Sequence, residues 1–191
     1  MRYRPGHKEE SRARILEAVG RGFRRHGMGG IGVDGLAREA GLTSGAFYAH
    51  FGSKSEAFEE AAIAGLESLL GAIEGLQAEQ GEAWVEAFVD VYLGFKRTCG
   101  LEEACGLQAL TPEVMRAGAD LRARYEGVLL RLVERVARGL PSRPGAPPRK
   151  DRAWALLALL SGGVTLARAT ADASVGEQAA AALKRVALTI C

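Results

Sequence analysis

From about Lys8 to His26, the apolar positions Ile15, Leu16, Val19 and Phe23 recur at three- and four-residue spacing, which predicts an amphipathic helix with one buried face. Gly27 is placed to stop it, because glycine reaches positive φ without a Cβ penalty. Val33, Leu36, Ala37 and Ala40 repeat the spacing over a shorter stretch. Gly41 then marks a turn, and Thr43 stands where a side-chain oxygen can cap a short helix over Ser44–His50. Phe47 and Phe51, four apart, face one side of it. Gly52 breaks the segment. Ser53 and Glu56 have the spacing of a capping box, opening a long helix from Lys54 to about Glu79 with Phe58, Ala62, Leu66, Leu69, Leu70 and Ile73 inward.

The pattern continues to the end of the chain. Glu82–Thr98 predicts a fifth helix with Trp84, Phe88, Tyr92 and Phe95 along one face, followed by an irregular segment, Cys99–Ala109. Thr111, Pro112 and Glu113 read as cap, first helical position and first-turn acid of a helix reaching Leu140. Four prolines within Pro141–Lys150 make a loop. The last two helices are about Asp151–Thr170 and Val175–Ile190, the second opened by Ser174 and Glu177 as another capping box. The former is apolar nearly all round. Leu157, Leu160 and Val164 form one face, and Ala158, Gly162, Thr165 and Ala169 a small-residue face that lets another helix approach. About nine helices and no strand are expected.

Two short helices joined by a glycine-containing turn form a helix-turn-helix, whose second helix can enter the DNA major groove. The run Leu36–Ala37, Gly41, Gly45, Tyr48, His50–Phe51 and Lys54 resembles the DNA-binding signature of the TetR family of bacterial transcriptional repressors, with the strong match over Lys8–Phe58. The resemblance implies an all-α protein: a helix-turn-helix DNA-binding domain over residues 1–53, and an effector-binding and dimerisation domain over 54–191. It carries DNA contact onto Ser44, Gly45, Tyr48, His50 and Lys54, with Thr43 nearby. It implies a ligand cavity, near which Phe88, Tyr92, Phe95, Leu110, Met115 and Trp154 are expected. It also implies a homodimer through the last two helices, with Ala158, Gly162, Thr165, Ala169, Leu183 and Val186 at the interface. Gly32 departs from the pattern, since the family has Ser or Thr capping the second helix there. The family's base-contacting position in that helix is Asp34, suited only to cytosine N4.

Charge sharpens this picture. Residues 1–54 carry 10 basic and 5 acidic side chains, 55–113 carry 2 and 12, and 114–191 carry 13 and 6, for a net charge of +2. A basic head beside an acidic waist suits a protein that grips DNA at one end. Between Thr43 and His50 there is no Arg, Lys, Asn or Gln, so the bidentate pairs to guanine and adenine are unavailable from this helix. Thr43, Ser44 and Ala46 are left to touch base edges. Arg2 and Arg4 mark either a frayed terminus or a DNA-touching arm.

Other chemistry is thin. Gly27–Gly32 formally matches G-x-G-x-x-G, but a helix precedes it where the dinucleotide motif needs a strand. The three histidines, His7, His26 and His50, lie apart from the cysteines, and no H-E-x-x-H, G-x-S-x-G or P-loop is present, so neither an enzyme nor a bound cofactor or metal is expected. Three cysteines without a C-x-x-C pair, and an N-terminus without an apolar core, point to the reducing cytoplasm. The longest uncharged run, Ala153–Ala167, falls short of the ~18 apolar residues of a membrane span, and no membrane partner is expected. Duplex DNA and a small apolar or aromatic effector are the expected partners. Two alternatives stay open: a helical adaptor that has lost DNA binding, suggested by Gly32 and by Gly35 inside a helix, and a thiol-based redox sensor using Cys99 or Cys105 near Lys96 and Arg97. Arg168, late in an apolar helix, is expected to pair with an acid.

Overall fold

The computed structural model describes residues 7–191, so the expectations for Arg2 and Arg4 lie outside the described residues. The described chain is all-α: α1 (His7–Gly30), α2 (Val33–Glu39), α3 (Ser44–His50), α4 (Lys54–Gln80), α5 (Trp84–Leu93), α6 (Phe95–Thr98), α7 (Gly106–Val114), α8 (Ala119–Gly139), α9 (Arg149–Arg168) and α10 (Ala173–Ile190). Single turns of 3-10 helix cover Gly81–Ala83 and Leu101–Glu103. No described helix is long and apolar enough to cross a membrane.

Gly27 interrupts α1 as expected, with φ 70° and ψ 169°, and a last helical turn follows the kink. Four boundaries differ from the sequence reading, each for a local reason. The fifth helix is two, α5 and α6, because Gly94 (φ −91°, ψ −92°) leaves the helical region; a Cβ there would lie 2.6 Å from the Asp90 carbonyl oxygen. A helix begins at Gly106 rather than Thr111, so Pro112 is interior and Thr111 is no cap. The Thr111 hydroxyl instead donates to the Leu107 carbonyl at 2.5 Å, and the helix ends two residues after the proline. The helix expected to run to Leu140, with a kink allowed, is therefore two helices, α7 and α8, parted at Met115–Gly118. Finally, α10 starts at Ala173, because the Asp172 carboxylate accepts from the Ser174 backbone N–H at 2.8 Å and caps it before Ser174 can. The serine hydroxyl and backbone together hold the Asp172 carboxyl below its ordinary range.

The described chain divides into two compact units, residues 7–65 with 100–122 and residues 66–99 with 123–191. The returning segment belongs with the head because it is tied to α1. Arg24 Nε donates to the Glu102 carbonyl at 2.7 Å, and Arg25 pairs with the Glu102 carboxylate at 3.2 Å. Within the first unit α7 also meets α4 at glycine: a Cβ on Gly106 would sit 2.8 Å from the Gly65 Cα, so only glycine permits this approach. The core of this unit holds Val19, Phe23, Leu36, Phe47, Phe51, Phe58 and Leu110, with Phe23 and Phe58 edge to face at 5.4 Å.

The second unit is built on Ile73, Trp84, Phe88, Leu132, Val136, Leu156 and Leu160, all buried. The Trp84 indole N–H donates to the Gly139 carbonyl at 3.0 Å, satisfying its one polar group. Helices α9 and α10 touch at Gly163, where a Cβ would meet the Leu183 side chain at 2.4 Å. The glycine that makes that contact is thus Gly163, while Gly162 beside it faces open space. Arg152, 3% exposed, donates to the carbonyls of Pro147, Pro141 and Cys191 and so fastens the proline loop to the end of α10. Among the described residues Arg168 pairs with carbonyls in place of an acid: it donates to those of Lys96 and Cys99 at 2.7 and 2.9 Å, capping the end of α6.

Candidate nucleic-acid interface

In the first unit α3 is a seven-residue helix fixed at its start and along its inner side. Thr43 caps it as expected, its hydroxyl accepting from the Ala46 N–H at 3.2 Å. Gly41 takes φ 67° in the turn behind it. On the inner side Phe47 and Phe51 are fully buried and packed on each other, ring centroids 5.1 Å apart. Burying the two rings contributes about 2–3 kcal/mol each, enough to fix which face of a seven-residue helix looks inward. The Arg12 guanidinium lies 5.4 Å from the Phe51 centroid and makes a two-pronged bond to Glu60 at 2.8 and 2.9 Å. That contact, chiefly the hydrogen bond to Glu60, raises the Arg12 pKa further and ties α1, the end of α3 and α4 together.

The opposite face is open. Tyr48 is 53% exposed, its ring edge-on to Phe47 at 5.8 Å, so the phenol is held by the core yet projects outward. Thr43, Gly45 and Ala49 are exposed beside it; Ser44, His50 and Lys54 are half-exposed. A Cβ built on Gly45 meets nothing within 4 Å, and its φ is not in the left-handed region, so folding gives no reason for glycine there. Close approach of something outside the chain would. Lys54 opens α4, whose start is secured by Ser53 Oγ accepting from the Glu56 N–H at 3.0 Å. The Glu56 carboxylate returns to the Gly52 N–H at 3.0 Å, one residue short of the reciprocal bond of a capping box. Of the six residues expected at the interface, Thr43, Ser44, Gly45, Tyr48 and His50 lie on α3 or at its N-cap, and Lys54 is the first residue of α4.

Helix α2 lies behind and beside this face. Gly32 is its N-cap and gives no side-chain bond, as the sequence implied. Gly35 has a packing reason: a Cβ there would lie 2.8 Å from Ile31 Cγ1. Asp34 accepts a hydrogen bond from the Ser44 hydroxyl at 2.5 Å, joining α2 to α3 on the exposed side. Sequence reasoning placed both residues near DNA but missed their bond, since nothing in a ten-residue separation signals it. The Arg12 contact was equally invisible.

The six residues expected around a ligand cavity are distributed differently. Phe88 and Tyr92 are buried and packed edge to face at 5.4 Å, in continuity with Trp84, so they fill core. Leu110 is buried but belongs to the first unit, as does Met115, which is 72% exposed. Phe95 at 52% and Trp154 at 39% are also exposed. The break at Gly94 is what turns Phe95 out of the stripe. An open groove of about 470 Å³ in the second unit is edged instead by Leu70, Leu130, Lys150 and paired charges, Arg135 with Glu74 at 2.5 Å and Arg138 with Glu134 at 3.3 Å. Of the expected dimer residues, Ala158, Gly162, Thr165, Ala169 and Val186 are exposed, whereas Leu183 is half-buried against Gly163.

Comparison with known proteins gives a consistent answer. The family model described as bacterial regulatory proteins, tetR family, matches residues 15–61. A curated relative, the HTH-type transcriptional repressor SCO4008 of Streptomyces coelicolor, is 30% identical over 84 residues, covering 44% of this chain. The match spans 43% of that repressor's own length. Among solved structures, a TetR-family transcriptional regulator from Cytophaga hutchinsonii superposes with a TM-score of 0.76 at 19% identity, covering 98% of both chains. The reduced form of Escherichia coli NemR gives 0.75 at 19% identity, covering 92% of this chain and 96% of that one. These two similarities establish the fold.

Proposed function

We propose that this chain, which belongs by its helix-turn-helix head to the TetR family of bacterial regulatory proteins, is a repressor. As a homodimer it binds a near-palindromic operator and leaves it when a small effector binds. The observation that carries the reading is the outward face of α3: two buried phenylalanines fix the helix, and the other side presents an exposed tyrosine, small hydroxyls and a glycine the fold does not need. Tyr48 and His50 can donate to phosphate oxygens, and Lys54 adds its charge at the start of α4. Such contacts position the protein and give a steep salt dependence without choosing sequence. Gly35 no longer favours the adaptor reading, because Ile31 occupies the space a side chain would need.

Dimerisation is supported by α9 and α10. Trp154, Ala158, Gly162 and Leu166 are exposed, uncharged positions at helical spacing along α9, with Ala169 at its C-cap and Leu166 71% exposed, and Val175 and Val186 are exposed on α10. Exposed apolar surface of this kind is costly in water and suits a second copy. Two copies would present two α3 helices about 34–36 Å apart, or a multiple of that, to successive major grooves. Release of DNA requires an effector that binds the non-DNA conformation better. The lever is α4, which is joined to α3 by the three residues Phe51, Gly52 and Ser53 and runs into the second unit. Selection from a random duplex library, followed by sedimentation of the selected complex, tests the reading: an inverted repeat holding two protomers is expected, and a library returned without enrichment would refute it.

A further inference from the structure

Resting on the proposed DNA-binding reading, we infer that Asp34 and Ser44 together form an acceptor-only reading element that selects cytosine at one position of each operator half-site. The Ser44 hydroxyl hydrogen is committed to Asp34 Oδ1 at 2.5 Å. Ser44 can then offer only its lone pairs to a base, and Asp34 only its carboxylate oxygens. Both residues sit on the exposed side of the head, Ser44 being the first residue of α3 and Asp34 lying in the first turn of α2.

An anionic, acceptor-only element meets four kinds of base edge in the major groove. Guanine offers acceptors at N7 and O6, and thymine an acceptor at O4, so both leave the carboxylate facing lone pairs. Adenine offers the N6 amino group but sets the N7 lone pair beside it. Cytosine offers its N4 amino group with no neighbouring acceptor on its own major-groove edge, and is the base a carboxylate accepts from. The same element is repelled by phosphates, so its interaction with DNA is favourable only where such a donor waits. Because α3 has no Arg, Lys, Asn or Gln to make a stronger pair, this single contact weighs heavily in choosing the site.

The test uses the full-length dimer and its variants Asp34→Asn, Asp34→Ala and Ser44→Ala, each selected against a random duplex library. The selected duplex and its single base-pair substitutions are then titrated with each protein. For the wild type, one cytosine per half-site is expected, and replacing it should weaken binding about tenfold. Asn, which donates as well as accepts, should move that position to adenine and leave the others unchanged. Ala should erase the preference there, and Ser44→Ala should blur it. If wild type, Asp34→Asn and Asp34→Ala select the same half-site, the Asp34–Ser44 bond only joins two helices and the inference fails. If wild type selects nothing, the DNA-binding reading fails and the inference with it.

Discussion

Replacing Gly45 by alanine should move stability and DNA binding in opposite directions. The new methyl would meet no atom of the chain within 4 Å, and the backbone at Gly45 is already in a region open to any residue. Glycine in a helix costs roughly 0.5–1 kcal/mol relative to alanine. Gly45 is the second residue of α3, where the lower half of that range applies. A gain of about 0.5 kcal/mol corresponds to a rise in melting temperature of about 1–2 °C for a chain of this size. On the proposed DNA-facing side the same methyl would stand between α3 and the duplex, and displacing the helix by even part of a van der Waals radius would weaken the contacts proposed for Tyr48 and Thr43 together. A loss of at least tenfold in operator affinity, about 1.4 kcal/mol, is expected. Calorimetry gives the first number and fluorescence anisotropy on the selected operator the second. Unchanged affinity in a stabilised Gly45→Ala protein would refute the assignment of this face to DNA. A drop in melting temperature would refute the claim that the position is sterically open.

Three further outcomes follow from the geometry. Phe51→Ala removes a fully buried ring that touches Phe47 and carries the Arg12 contact, and should destabilise the head by about 3–5 kcal/mol in denaturant melts, with Phe51→Leu costing markedly less. Leu166→Glu places a charge on the exposed apolar stripe of α9 and should yield a helical monomer in sedimentation, with operator affinity weakened; a stable wild-type monomer would contradict this. The Asp172 cap is stronger when ionised, since its folded pKa is lowered chiefly by the Ser174 hydroxyl. Its contribution is complete above the ordinary carboxylate value and is lost as pH falls through the lower folded one. Asp172→Asn does not titrate, so the melting-temperature advantage of wild type should shrink below about pH 4 and be constant between pH 5 and 8.

The head was legible because its signals are local and agree with one another. Thr43, Phe47, Phe51 and the Ser53–Glu56 spacing each specify the same short helix and the same turn, so α3 falls on the residues the pattern named. Where two local signals competed, the pattern misled. Thr111–Pro112–Glu113 has every mark of a helix start, yet Leu107 and Leu110 before it are buried and keep a helix that tolerates an interior proline. Asp172 outcompeted Ser174 because a carboxylate caps at least as well as a hydroxyl and came first in the chain. The aromatic stripe on 84–95 was read as one face because a single glycine gives little sign of whether a helix bends or continues; Gly94 ends it and Phe95 leaves the row. Contacts between distant segments were beyond reach. Nothing in the residues themselves says that Arg12 will meet Glu60, that Arg168 will cap carbonyls instead of pairing with an acid, or that residues 100–122 will return to the head.

The most direct test of the central claim is photo-cross-linking of the dimer to its selected operator, carrying bromouracil in place of thymine, followed by tryptic mapping. Cleavage after Arg38 and Lys54 releases residues 39–54 as one peptide that contains all of α3. The account predicts that this peptide carries the adduct, with Tyr48 or its neighbours modified, and that α9 and α10 remain unmodified. Adducts confined to peptides of the second unit, with 39–54 clean, would contradict it.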